Sequence, residues 1–202
     1  MAIAISADQV KKLRDQTGAG FMECKAALTE ANGDLDAATT ILRKRGLAQA
    51  AKKAGRSTGQ GSVGSYIHMG GKMGVLVEVN CESDFVARTD QFAALVKEIA
   101  MHIAAADPKF VKREEVPATA LDKERDIYRA QFEQSGKPAA VVDKIIEGKL
   151  GSYYEQVVLL DQKFIRDPNL TVSQVIAEAT AKMGENITIS RFARFKVGEQ
   201  TE

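Results

Sequence analysis

Residues 74–80, GVLVEVN, place Val75, Val77 and Val79 at alternate positions, and Phe92, Leu95, Val96, Ile99 and Ile103 then recur at helical spacing. The first run lays its valines on one face of a strand, and the second draws an apolar stripe along a helix. A chain that changes period over so short a distance must fold as a sheet with a helix laid on it, which requires an α+β domain. VGSYIHM, residues 63–69, reads as the partner strand, joined through the GGKMG turn. At the far end, NITISRFARFKV alternates Ile187, Ile189, Ala193, Phe195 and Val197 against Thr188, Ser190, Arg194 and Lys196, which gives a third strand. The expected fold is therefore α+β, with a three-stranded antiparallel sheet and several helices. Such a sheet keeps two edges and, unless both faces are covered, one open apolar face, which points to self-association through the sheet.

The N-terminal part has helical periods only. Ser6 and Gln9 make a capping box for a helix that turns Val10 and Leu13 inward and ends near Gln16. TGAG reverses the chain, and a second helix from about Phe21 to Ala31 gathers Cys24, Ala27 and Leu28 on one face. After NGD, Asp34 caps a third helix carrying Leu35, Ala38, Ile41 and Leu42, expected to stop at Arg45 before Gly46. Residues 1–47 thus read as a small three-helix domain, 48–62 as an Ala/Lys-rich then Gly-rich linker, and 63–202 as the α+β core. Beyond the Phe92 stripe, two helices covering 119–136 and 137–165 are expected, separated at Gly136 to Pro138, and a last one from near Thr171 to near Gly184.

With no tryptophan and 6% aromatic residues, the core must come from Leu, Ile, Val and Ala, and helix should exceed strand. Twenty-eight basic residues against 27 acidic ones leave a net charge of +1, which does not mark the chain for nucleic acid or a membrane surface. Cys24 and Cys81 form no CxxC pair and have no histidine at metal-ligand spacing, so they read as buried, reduced thiols. The N-terminus lacks the basic and apolar regions of a secretory signal, and no apolar run approaches the roughly 18 residues of a membrane span. A cytoplasmic location is expected.

The motifs that could carry chemistry are few. GQGSVG, residues 59–64, matches G-x-G-x-x-G, but an Ala/Lys segment precedes it and a strand follows, so no helix amides would meet a pyrophosphate. His68 and His102 have no nucleophile and carboxylate set around them, and Glu114 and Glu115 lie among Lys112 and Arg113 as a solvated surface would. RKR at 43–45, with Lys52, Lys53 and Arg56, has no interleaved aromatics and reads as cations complementing a helix C-terminus. No cofactor, metal, direct nucleic-acid contact or membrane contact is expected. SDFV, residues 83–86, differs: Phe85 sits in a polar turn between strand and helix, ringed by Glu82, Ser83, Asp84, Arg88 and Asp90. It is either a core anchor of that turn or an exposed wedge for another protein's pocket, and the residues alone leave both open.

Two segments carry a resemblance. VKKLRDQTGAGFMECKAAL at 10–28 and GVLVEVNCESDFVAR at 74–88, in this order and separated by AAKKAGRSTGQG, resemble the short bacterial members of the elongation factor Ts family, the guanine nucleotide exchange factors of elongation factor Tu. TEANGDLDAATTILRKRG and ITISRFARFKVGE extend the likeness; Ser83 stands where the family usually has threonine, and Phe21-Met22 where paired methionines are commoner. The resemblance implies that residues 1–47 form a ubiquitin-associated-like domain on the G domain of elongation factor Tu, with Arg14, Gly18, Ala19, Gly20, Phe21 and Met22 at the contact. It implies that Ser83, Asp84, Phe85 and Val86 reach the partner's magnesium site and promote GDP release, that the factor binds both GDP-bound and nucleotide-free partner, and that it pairs with a second copy through the core sheet. It implies no bond-breaking chemistry. The alternative is a ubiquitin-associated-type binding module fused to an unrelated α+β domain.

Overall fold

The computed structural model describes residues 5–132 and 138–199. In chain order the elements are α1 (Ala7–Thr17), α2 (Phe21–Glu30), α3 (Leu35–Lys53), β1 (Gln60–Ile67), β2 (Met73–Cys81), the single turn α4 (Asp84–Ala87) and α5 (Asp90–Ala106). There follow α6 (Ala118–Phe132), α7 (Ala139–Val157), β3 (Lys163–Phe164), β4 (Asp167–Thr171), α8 (Val172–Met183) and β5 (Thr188–Lys196). Strands β1, β2 and β5 form an antiparallel sheet with β2 central, and β3 pairs with β4 in a separate two-stranded ribbon. The fold is α+β, with helix exceeding strand, as composition and period required.

The chain divides into two compact units. The first comprises the residues up to Gly61, with Cys81–Ala87 and Ile176–Thr188. Its core is Val10, Leu13, Cys24, Ala27, Leu28 and Ala38, flanked by Leu35, Ile41 and Leu42. The Ser6–Gln9 capping box forms as expected, an arrangement that stabilises a helix start by about 1 kcal/mol. Helix α3 does not stop at Arg45 but runs on to Lys53. Gly46 is a packing residue there, since a β-carbon at this position would press on the Ala181 methyl at 3.3 Å. An interior glycine costs a helix about 1 kcal/mol, and this close approach offsets it. Arg43 pairs with Glu178 at 3.0 Å, and Lys53 donates to the Gly184 carbonyl at 2.7 Å. Residues 48–53 are therefore helical, and the irregular stretch before β1 shortens to 54–59.

The second unit holds Ser62–Asn80, Arg88–Val175 and the chain from Ile189. Val75, Val77 and Val79 face inward together with Phe92, Leu95, Val96, Ile99 and Ile103, all buried. GQGSVG lies largely in β1 rather than in a flexible linker, and Gly64 has a packing reason: a β-carbon there would overlap Val96 Cγ1 of α5. The expected helix over 137–165 ends at Val157. The Val157 carbonyl accepts from the amides of Lys109 and Phe110, and Leu159 N–H donates to the Phe110 carbonyl, so the crossing after α5 captures the chain and extends it. The ribbon β3–β4 follows, and then Thr171 and Gln174 cap α8 reciprocally. The expected break at Gly136 and the last residues of the preceding helix lie outside the described residues.

In β5 the alternation read from sequence changes phase. Ile187 and Ile189 are buried, Ser190 and Arg191 are both exposed and bond to Asn80 and Glu78, and Arg194 then points inward. Its side chain is 9% exposed, pairing with Asp107 and Glu199 and donating to the Ala104 carbonyl. Ala193, Phe195 and Val197 consequently stand on the opposite face from Ile189, a phase change of the kind a bulge produces. They share that face with Val63, Ile67 and Leu76, opposite Val75 and Val77; all five large ones are exposed. A β-carbon on Gly74 would lie 2.8 Å from Ile67 Cδ1, which fixes the common side.

His102 is fully buried and stacked on Phe164 with ring centroids 5.7 Å apart. Its Nδ1 accepts from the Ile165 amide at 3.3 Å, so Nε2 carries the proton and donates to Gln162 Oε1 at 3.0 Å. Burial holds its pKa below the ordinary imidazole value, the bond to Gln162 opposing this in part. The folded state then binds fewer protons than the unfolded chain between that lowered pKa and about 6.5. Stability supplied by the neutral ring is complete above about pH 6.5 and is lost as pH falls through the folded pKa. Urea denaturation between pH 7 and 5.5 should show stability falling with acidification, and His102→Gln should flatten the slope.

Candidate functional site

The SDFV segment leaves β2 through Cys81 and Glu82 and turns at once into α4. Ser83 starts this turn: its carbonyl accepts from the Ala87 amide at 3.3 Å, and its Oγ accepts from the Val86 amide at 3.4 Å. The serine hydroxyl thus serves the capping role that a threonine would. No residue of α4 is buried, and Phe85 is 82% exposed. The ring is therefore no anchor of its own core, and of the two roles the sequence left open the core one is excluded. Asp84 and Val86 are half-buried beside it.

Beneath the turn lies a set of polar contacts brought from the other end of the chain. Gly184 ends α8 at φ +79°, a conformation glycine adopts without steric penalty. Glu185 is thereby presented to the turn. Its Oε2 accepts from the amides of Glu82 at 3.1 Å and Ser83 at 3.0 Å, and its Oε1 from the Ser83 hydroxyl. In return Glu82 Oε1 accepts from the Asn186 amide at 2.6 Å, with Arg56 at 3.5 Å. The Asn186 side chain donates to the carbonyls of Arg56 at 2.9 Å and Ala54 at 3.4 Å. Sequence reasoning missed Glu82, Glu185 and Asn186 as partners, because nothing local links residues 102 positions apart. Cys81 is buried below and donates from Sγ to the Ser83 carbonyl at 3.1 Å. Burial pushes its thiol pKa up, with the Glu185 carboxylate adding to the rise. Both cysteines are free and buried, as their spacing implied.

The second candidate segment joins α1 to α2. Gly18 takes φ +66° and donates to the Arg14 carbonyl at 2.7 Å, closing α1. Thr17 Oγ1 accepts from the Ala19 amide, and the Glu23 side chain reaches back to the Gly20 amide at 3.2 Å. These bonds hold an open corner from which Phe21 and Met22 project, 47% and 71% exposed; Arg14 is also exposed. A β-carbon on Gly18 would overlap Lys182 Cε, so α8 touches this corner as well. Gly18→Ala should cost about 1–2 kcal/mol, the penalty of a left-handed alanine, read as a fall in the urea midpoint. Both candidate segments belong to the first unit, and Lys182 and Glu185, three positions apart, contact one each.

The three arginines of the basic cluster are paired with carboxylates: Arg43 with Glu178, Arg45 with Glu30 and Arg56 with Glu82. Among the described residues no group of three or more His, Cys, Asp or Glu could hold a metal ion, and no helix is long and apolar enough to cross a membrane.

These features define an α+β protein with two exposed apolar segments held on one compact unit. The family model described as Elongation factor TS matches residues 12–199. Among curated relatives named elongation factor Ts, that of Koribacter versatilis is 61% identical over 98% of this chain and 90% of its own length. That of Fervidobacterium nodosum is 60% identical over 96% of this chain and 99% of its own, and that of Geobacter sulfurreducens 57% over 99% and 93%. The chain belongs to the elongation factor Ts family and is a translation elongation factor. The match runs through both units, which does not favour a helical module joined to an unrelated domain.

Proposed function

We propose that this chain is a guanine nucleotide exchange factor of elongation factor Tu, acting by contact and not by making or breaking bonds. The observation that carries the reading is Phe85, 82% exposed at the tip of a one-turn helix whose base is bonded on both sides. An apolar ring held away from its own core is available to a partner's pocket. In this reading residues 1–47 form a ubiquitin-associated-like module, with Arg14 and Gly18 to Met22 docking on the partner's G domain. Ser83, Asp84, Phe85 and Val86 then enter beside the magnesium site. Magnesium bridges nucleotide phosphates and protein ligands, so shifting the elements that support those ligands loosens GDP from its phosphate side. Phe85 is the wedge, Asp84 reorganises hydrogen bonds around it, and Val86 backs the ring.

Linkage makes the effect reciprocal: the factor lowers nucleotide affinity, so nucleotide lowers affinity for the factor by the same ratio, and incoming GTP expels it. The factor itself holds neither nucleotide nor metal, works in the cytoplasm with the translation machinery and makes no direct nucleic-acid contact; its paired arginines support the last point. A second copy covers the open sheet face of Val63, Ile67, Leu76, Phe195 and Val197, whose exposure supports pairing through the core sheet. The function is tested by mixing the full chain with elongation factor Tu loaded with fluorescent GDP and excess unlabelled GTP. Release should accelerate with factor concentration and saturate; an unchanged rate overturns the reading.

A further inference from the structure

The Phe85 turn is held only in part by packing, because Asp84, Val86 and Ala87 are half-buried and none of Asp84–Ala87 is fully buried. Helical cooperativity adds little, since a single turn is marginal by itself. A reciprocal set of bonds braces its base, in which one carboxylate from the end of α8 takes both backbone amides and the hydroxyl that open the turn. Carboxylate bonds to N–H and O–H groups are about twice as strong as neutral ones, and Gly184 at φ +79° sets the chain so that Glu185 meets them.

We propose that Glu185 is a positioning residue for exchange: its carboxylate presets the Ser83–Val86 turn, so that Phe85 meets the partner already oriented. The proposal rests on the exchange reading above and adds to it a residue outside both sequence motifs. Preorganisation affects the step in which the ring displaces the partner's elements, and leaves the initial docking through Arg14 and Gly18 to Met22 untouched.

The test uses the full chain with elongation factor Tu carrying fluorescent GDP, comparing wild type, Glu185→Ala, Glu185→Gln, Phe85→Ala and Phe85→Ala with Glu185→Ala. Glu185→Ala should lower the saturated release rate about tenfold, in the range that misplacement of a distant positioning group produces, with KM for the GDP-bound partner changed less than about twofold. Glu185→Gln should stay within about threefold of wild type, because one amide oxygen can take both backbone N–H groups while its NH2 turns to the Ser83 oxygen. In the Phe85→Ala background the removal of Glu185 should cause no further loss, since it acts through the ring. Should Glu185→Ala fail to fold, Ser83→Ala opens the same clamp from the other side and is read in the same cycle. A wild-type rate for Glu185→Ala, or an equal loss with and without Phe85, overturns the positioning role. Loss in Phe85→Ala without loss in Glu185→Ala sinks only this proposal, whereas a wild-type rate for Phe85→Ala sinks the wedge reading with it.

Discussion

Phe85→Ala is expected to slow factor-stimulated GDP release by roughly thirtyfold or more while leaving the fold intact. The rate follows from the exposed ring: a central apolar anchor entering a partner's pocket contributes at least about 2 kcal/mol, and about 1.4 kcal/mol corresponds to a factor of ten. Because the ring is 82% exposed and no residue of its turn is buried, truncation opens no cavity, and stability should change by no more than about 0.5 kcal/mol. Stopped-flow release of fluorescent GDP measures the first quantity and a melting curve the second. Release at the wild-type rate would show that the ring is no wedge. A drop in melting temperature together with slower release would show instead that it braces its own turn.

Features set by local period were legible in the sequence. The Ser6–Gln9 cap, the inward Val10 and Leu13, the alternate Val75, Val77 and Val79, and the stripe from Phe92 to Ile103 each depend on residues a few positions apart, and each stands where the pattern put it. Contacts made at long range were not legible. Gly46 looks like a helix terminator until Ala181 is seen against it, and Gly64 looks like a linker residue until Val96 is. The alternation of β5 is broken where the polar pair Ser190-Arg191 is followed by Phe192, a signal that a strict two-residue period from Ile189 to Val197 overlooks; the consequence is that Phe195 and Val197 face outward. At the candidate site, the polar setting of Phe85 drew attention to SDFV and the family resemblance to Gly18–Met22, but the residues packed or bonded against these segments could not be read from either. Glu185 and Lys182 are an ordinary acid and base near a helix end, and only the fold gives them their positions.

The outward turn of Phe195 and Val197 carries the second large effect. Leu76 lies on the central strand and Phe195 on one neighbour, with Val63 and Ile67 on the other, so the open face is continuous across the sheet. Burying a large apolar side chain contributes roughly 1.5–3 kcal/mol, and a twofold interface counts each residue twice. Replacing Leu76 and Phe195 together by glutamate removes four such side chains from a symmetric dimer and sets four like charges in their place. The dissociation constant should rise by well over a hundredfold, since each 1.4 kcal/mol is a factor of ten. Sedimentation velocity or light scattering should then show a dimer for wild type and a monomer for the double variant. Far-UV circular dichroism should be unchanged, because neither side chain belongs to the buried face of Val75, Val77 and Val79. A monomeric wild type, or a double variant that remains dimeric, would remove the sheet face as the surface of self-association and leave those exposed side chains for another partner.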